Sequence, residues 1–69
     1  MKLSARNVLP GKIVALVKGV TTSHVKIEVA PGMVITAAIT NEAVEDLALA
    51  VGKPATAIVK SSDVIVAVD

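Results

Sequence analysis

The stretch H-V-K-I-E-V, His24–Val29, carries the pattern that decides the fold. Its hydrophobic side chains fall at every second position with polar side chains between them, as in a strand that has one buried face. Pro31-Gly32 follows and predicts a tight hairpin, because proline presets φ and glycine accepts a positive φ. The next stretch, M-V-I-T-A-A-I-T, is therefore predicted to be the second strand of an antiparallel pair.

Further strands are predicted on both sides of this hairpin from apolar, β-branched runs. The run I-V-A-L-V, between Lys12 and Lys18, is apolar throughout and suits a strand that is covered on both faces. Upstream, Leu3–Leu9 is either a separate strand ended by Pro10-Gly11 or the first part of one long bent strand. Downstream, two more strands are predicted, Lys53–Val59 and Val64–Val68.

One short helix is predicted before the last two strands. Thr40 and Asn41 offer a capping hydroxyl or amide, and the acids that follow suit the positive end of a helix dipole. Gly52, with Pro54 beyond it, predicts where the helix ends. Its apolar face is expected to consist of Val44, Leu47 and Val51.

Together these elements predict an all-β fold class, a small OB-like Greek-key barrel with one short helix. No linker or internal repeat is visible, so residues 1–69 are predicted to form a single domain.

The composition predicts that the chain assembles with copies of itself. A domain of 69 residues buries only about 60% of the surface that its unfolded chain exposes, so a lone chain would be marginally stable. There is no Cys to form a disulfide or a zinc site. Hydrophobic residues make up 54% of the chain and none is aromatic. Apolar outer faces are therefore expected to pack against sister subunits.

Charge and hydropathy argue against several classes of partner and activity. With a net charge of +1 and no aromatic residues, the chain lacks the basic stripe and stacking platforms of nucleic-acid binders. Its longest apolar runs are far shorter than the roughly 18 residues that cross a membrane, and its start lacks a secretory apolar stretch, so a cytoplasmic location is expected. His24 is interpreted as a solvated strand residue, because it has no Ser, Cys or Asp partner at a recognisable motif spacing. Neither enzymatic activity nor a bound metal cation is predicted.

Four polar residues are more informative: Ser4, Arg6, Lys60 and Ser61. In an OB-like barrel the first strand can lie beside the fourth and the last, which would bring S-A-R-N close to K-S-S. Hydroxyls, backbone N–H groups and two cations suit a tetrahedral oxyanion. Alternatively, the serines end strands while Arg6 and Lys60 keep a sheet edge soluble. The helix start at Thr40-Asn41 is a further source of N–H donors for an anion. The carboxylate of Glu42 would compete with the anion for the positive end of the helix.

Three segments of the chain resemble one known family. They are S-A-R-N-V-L-P-G-K-I, I-T-N-E-A-V-E-D-L and A-I-V-K-S-S-D-V-I-V-A-V-D. In order and spacing they are similar to the molbindins, the Mop-type molybdate- and tungstate-binding domains of the TOBE-like group, over essentially the entire chain. The resemblance implies an OB-like barrel that forms a hexamer, a trimer of dimers, with molybdate or tungstate held at subunit interfaces and no other cofactor.

Carried over by position, the resemblance implies that one subunit supplies most of the oxyanion shell, through Ser4, the Ala5 backbone N–H, Arg6, Lys60 and Ser61. A neighbour would supply Thr40 and Ala43. A possible second interface site would use Gly19, Val20 and Thr22. Regulator members of the family often have Ser where Ala43 stands, so one side-chain donor is absent here.

The role that the resemblance implies is intracellular storage and homeostasis of molybdenum by passive capture of the oxyanion. Selection over sulfate would come mainly from the size of the cavity. The alternative is a structural oligomerisation module of the OB type that binds no anion.

Overall fold

The computed structural model describes all 69 residues and is built mainly from β-strands. Four strands form the sheet: β1 (Asn7–Lys18), β2 (Thr22–Ala30), β3 (Met33–Thr40) and β4 (Pro54–Val59). One helix, α1 (Asn41–Asp46), follows β3 directly, and a 3₁₀ turn covers Ser61–Asp63. Neither α1 nor the 3₁₀ turn has the length that a membrane-spanning helix requires.

The strands form one antiparallel sheet in the order β3-β2-β1-β4. The first three strands are joined by hairpins, and β4 returns after α1 to lie beside β1, which is the spatial order of a Greek key. The sheet curls into a half-barrel with the short helix beside it. The predicted all-β, OB-like architecture is confirmed, although a single chain leaves the two edges of the sheet open.

β1 is one long bent strand, which was the second of the two alternatives given for Leu3–Leu9. Pro10 pairs only with β4, because the pairing of β1 with β2 begins at Lys12. The missing N–H of Pro10 therefore does not interrupt the pairing between β1 and β2. At Gly11 a Cβ would collide with the carbonyl oxygen of Glu28, so the two strands can approach this closely only at a glycine. A bulge after Ile13 adds to the bend.

The hairpin between β2 and β3 forms as predicted. Ala30 pairs with Met33, which leaves Pro31-Gly32 as the two-residue turn, and Gly32 has a φ of 75°. The alternation within β2 is also confirmed, because Val25 and Ile27 are buried while the polar residues between them are exposed. The same inward-facing row extends to Ser23, a polar residue that is fully buried.

α1 begins where it was predicted to begin and ends earlier. Thr40 is its N-cap, but the helix stops at Asp46, well before Gly52. The reason is the backbone of Ala48, whose φ of 51° lies in the left-handed region and cannot continue a right-handed helix. The carbonyl of Ala48 instead accepts a 3.1 Å hydrogen bond from Nζ of Lys53.

This early end changes which side chains α1 buries. Val44 is buried against the sheet, as predicted. Leu47 and Val51 are 67% and 61% exposed, so the prediction that they continue the apolar face of the helix is wrong. They lie in the loop after α1, where they lend apolar character to the surface.

The predicted last strand, Val64–Val68, is not part of the sheet, and for the single chain that prediction is wrong. The 3₁₀ turn closes with a bond from the N–H of Val64 to the carbonyl of Ser61, and the residues beyond it make no backbone hydrogen bond. Ile65 and Val68 are 93% and 92% exposed. This C-terminal segment, Val64–Asp69, has strand-forming residues but finds no strand partner within its own chain.

The hydrophobic core of the single chain is small and its surface is large. The buried hydrophobic residues are Ile13, Val25, Ile27, Val44 and Ala57. The accessible surface is 5351 Å², whereas a compact monomer of 7.0 kDa would expose about 4,000 Å². The excess accessible surface, about 1,350 Å², is larger than the roughly 800 Å² that each partner buries in a standard protein interface.

Candidate oxyanion site

One end of β1 brings two of the predicted segments side by side. Asn7, the first residue of β1, pairs with Val59, the last residue of β4, and its Nδ2 donates to the Val59 carbonyl at 3.1 Å. The segment Ser4–Arg6 therefore leads into the same end of the sheet from which Lys60-Ser61 departs. We call these five residues the basic cluster: Ser4, Ala5, Arg6, Lys60 and Ser61.

The basic cluster has charge and donors that nothing in the chain uses. The single ion pair of the molecule joins Lys18 to Glu45, so Arg6 and Lys60 have no acidic partner, not even the nearby Asp63. The backbone N–H groups of Ala5 and Ser61 make no hydrogen bond within the chain. Every member except the half-buried Ala5 is exposed. Two cations and free donors at one place suit an anion.

The other predicted residues lie at the opposite end of β1. Lys18, its last residue, pairs with Ser23, and the neighbouring Thr22 pairs with Thr40 at the end of β3. Strands advance about 3.3 Å per residue, and β1 has 12 residues in a molecule whose longest extent is 36 Å. One chain therefore does not bring Thr40 and Ala43 to the basic cluster.

These residues form a second group, which we call the neutral cluster because none of them is charged: Gly19, Val20, Thr22, Thr40 and Ala43. Oγ1 of Thr40 accepts a 3.1 Å hydrogen bond from the Ala43 N–H. A hydroxyl that accepts this bond keeps its own proton for a further acceptor. Thr40 is exposed, so that proton can reach a ligand, whereas the Ala43 N–H is already occupied.

The turn between β1 and β2 belongs to the same end of the molecule. The N–H of Gly19 donates to the carbonyl of Thr22 at 2.8 Å, which closes the turn. A Cβ at Gly19 would lie 2.7 Å from that same oxygen, so a larger residue does not fit there. Val20 at the tip is 98% exposed.

Sequence reasoning missed how this end is held together. Asn41 was considered as a helix cap and, with Thr40, as a source of donors for an anion. Its Nδ2 instead donates to the carbonyls of Gly19 and Val20, at 3.0 and 3.2 Å. Its Oδ1 accepts from the hydroxyl of Ser23, which is fully buried. The one signal in the sequence is that Ser23 stands in the inward-facing row of β2.

Neither cluster is enclosed in the single chain, which has no pocket on its surface. No group of His, Asp or Glu side chains is arranged to hold a metal cation. His24 is exposed on the outer face of β2, two residues from Thr22 of the neutral cluster.

The fold and these clusters define a small OB-type β-domain that exposes hydrogen-bond donors at both ends of its sheet. Residues 3–66 match the family described as the TOBE domain, and the chain belongs to that family.

Comparison with individual relatives confirms the resemblance to the molbindins. The chain is 48% identical over 66 residues to molybdenum-pterin-binding protein 2 of Clostridium pasteurianum, covering 96% of this chain and 97% of that protein. Its fold superposes on MopII from Clostridium pasteurianum with a TM-score of 0.90 and 46% identity, over 97% of this chain and 100% of that one. It also superposes on a molybdate-binding protein from Sporomusa ovata, with a TM-score of 0.90 and 36% identity, over 97% and 98%. The first and third of these relatives are named as binding proteins rather than enzymes.

Proposed function

We propose that the protein binds molybdate or tungstate at interfaces between copies of itself, and that it stores and buffers the oxyanion in the cytoplasm. The observation that carries this proposal is the separation of the two clusters. Both expose donors, and they lie at opposite ends of β1. A second copy is the simplest way to bring a neutral cluster against a basic cluster.

The combination of charged and neutral donors in the two clusters suits a dianion. Arg6 and Lys60 offset the charge, while hydroxyls and backbone N–H groups supply hydrogen bonds without adding charge. Capture requires that the anion loses its water, and no bond within the anion is broken. Molybdate and tungstate are larger than sulfate, so a cavity sized for them holds sulfate loosely.

The exposed apolar surface supports the homo-oligomer. The C-terminal segment starts three residues after Ser61, and its β-branched side chains are uncovered. A neighbouring copy that covers this segment would come to lie beside the basic cluster. Such a contact would bury apolar surface and complete the binding site in the same step. The assembly we propose is a hexamer arranged as a trimer of dimers.

Titration calorimetry of the purified assembly with molybdate, tungstate, sulfate and phosphate tests the function. We expect saturable binding of molybdate and tungstate, and binding of sulfate at least tenfold weaker. Native mass spectrometry of the same sample should show a hexamer that retains anions. A stable multimer that binds none of the four anions would instead support the structural oligomerisation module.

A further inference from the structure

We infer that Asn41 is a positioning residue of the neutral cluster, and that its side chain does not contact the oxyanion. This inference rests on the proposed function, because it concerns how that site is held. It starts from the hydrogen-bonding capacity of the asparagine side chain.

The polar atoms of Asn41 are already engaged within the chain. The two protons on Nδ2 go to the carbonyls of Gly19 and Val20. Oδ1 accepts from Ser23, and the backbone N–H donates to the Thr21 carbonyl at 2.9 Å. An asparagine amide offers two donor protons. No donor of Asn41 is therefore left for a ligand.

The bonds to Gly19 and Val20 fix the direction of two peptide planes. In a planar trans peptide, the carbonyl and the following N–H point in opposite directions. Because the carbonyls of Gly19 and Val20 face Asn41, the N–H groups of Val20 and Thr21 face away from it. Neither N–H donates to another atom of the chain. Two free N–H groups that face the same side of a turn can donate together to one anion.

Asn41 also ties this turn to Thr40, its neighbour in the chain. The buried hydroxyl of Ser23 holds Oδ1 of Asn41 in place. The turn and the Thr40 hydroxyl are thereby kept in one fixed relation before a ligand arrives. Preorganisation of this kind lowers the entropy that binding must remove.

The first test compares molybdate affinity in the wild-type assembly, Asn41→Asp and Asn41→Ala. Asp keeps the acceptor for Ser23 but loses both donors, and it places a carboxylate against two carbonyl oxygens. Partners that orient metal ligands are typically worth 10- to 100-fold in affinity, and we expect a loss on that scale for both variants. Lys53→Met is the control, because it removes a side-chain bond to a backbone carbonyl beside α1 but lies outside both clusters.

The outcomes separate this inference from the proposed function. If the wild-type assembly does not bind molybdate, the proposed function fails. If the wild type binds and the Asn41 variants, still assembled, bind equally well, only the positioning role is overturned. An equal loss in Lys53→Met would show that any local loosening suffices, and it would also overturn the positioning role.

A second measurement uses the wild-type protein and does not depend on whether the variants fold. Side-chain amide NMR should show the two Nδ2 protons of Asn41 protected from solvent exchange without molybdate, because their partners are carbonyls of the chain. Little further protection is expected when molybdate is added. Protection that appears only with molybdate would make Asn41 a direct ligand and overturn the inference.

Discussion

The two ends of β1 carry different kinds of polar surface. At the Asn7 end, the basic cluster has two cations, and one side-chain hydrogen bond, from Asn7, ties β1 to β4 beside it. At the Lys18 end, the neutral cluster is uncharged, and the side chains of Ser23, Thr40 and Asn41 hold it in a hydrogen-bonded network. One end offers charge and the other offers fixed geometry, so the two ends differ in what each could contribute to an anion site.

The largest expected effect comes from preventing the two ends of different copies from meeting. Val66 is 84% exposed in the C-terminal segment, and Val66→Asp would place a charge in a surface that we expect a neighbour to cover. We predict dissociation of the assembly and loss of molybdate binding, measured by native mass spectrometry and calorimetry. The control is Val66→Thr, which keeps the branched shape without a charge. An intact Val66→Asp assembly would refute the role of this segment.

The next effect removes charge from the basic cluster while leaving the assembly intact. Lys60→Ala should weaken molybdate binding by roughly 10- to 100-fold, because hydrogen bonds to charged groups are worth about 1.5–3 kcal/mol. The affinity of the variant should also depend less on salt than that of the wild type. Lys26→Ala, on the outer face of β2, is the matched control. Unchanged affinity in Lys60→Ala would remove Lys60 from the site.

A smaller effect adds a donor to the neutral cluster. Ala43→Ser places a hydroxyl one turn along from the N-cap Thr40, on a residue that is half-buried. One net hydrogen bond of about 0.5–1.5 kcal/mol would tighten molybdate binding by roughly 2- to 10-fold. Ala43→Gly is the control, since it changes the side chain at this position without adding a donor. Equal affinities for Ala43→Ser and the wild type would place residue 43 outside the reach of the anion.

The smallest expected effect tests whether a charged side chain beside the neutral cluster contributes to molybdate binding. Lys18 lies next to the cluster, and its Nζ is 3.7 Å from Oε1 of Glu45 in an exposed pair. Exposed pairs are worth about 0–1 kcal/mol. Lys18→Met should therefore change molybdate affinity by less than about twofold and stability by a few tenths of a kcal/mol. A loss as large as that of Lys60→Ala would end the distinction between the clusters.

Local pattern was enough to predict most of the sheet. The alternation in His24–Val29, the Pro31-Gly32 turn and the cap at Thr40 depend on neighbours within a few residues, and all three form as expected. The Greek-key order was also predictable, because few topologies suit short strands with one late helix. The adjacency of S-A-R-N and K-S-S followed from that order.

The early end of α1 was harder to predict. Gly52 and Pro54 signal a stop, but the helix ends sooner, where Ala48 takes a left-handed backbone and Lys53 reaches its carbonyl. Propensity does not reveal such a turn, because an alanine rarely adopts this conformation.

The sequence by itself determined most of the sheet, the turn between β2 and β3 and the types of donor, because these depend on side-chain chemistry and short-range geometry. Only the tertiary structure decided where the donors meet. Asn41 joins Ser23 and the Gly19–Val20 turn across 18 to 22 positions of the chain, and the two clusters lie at opposite ends of one strand. Val64–Val68 has the composition of a strand, yet strand formation needs a partner edge, and the fold of one chain leaves this segment without one.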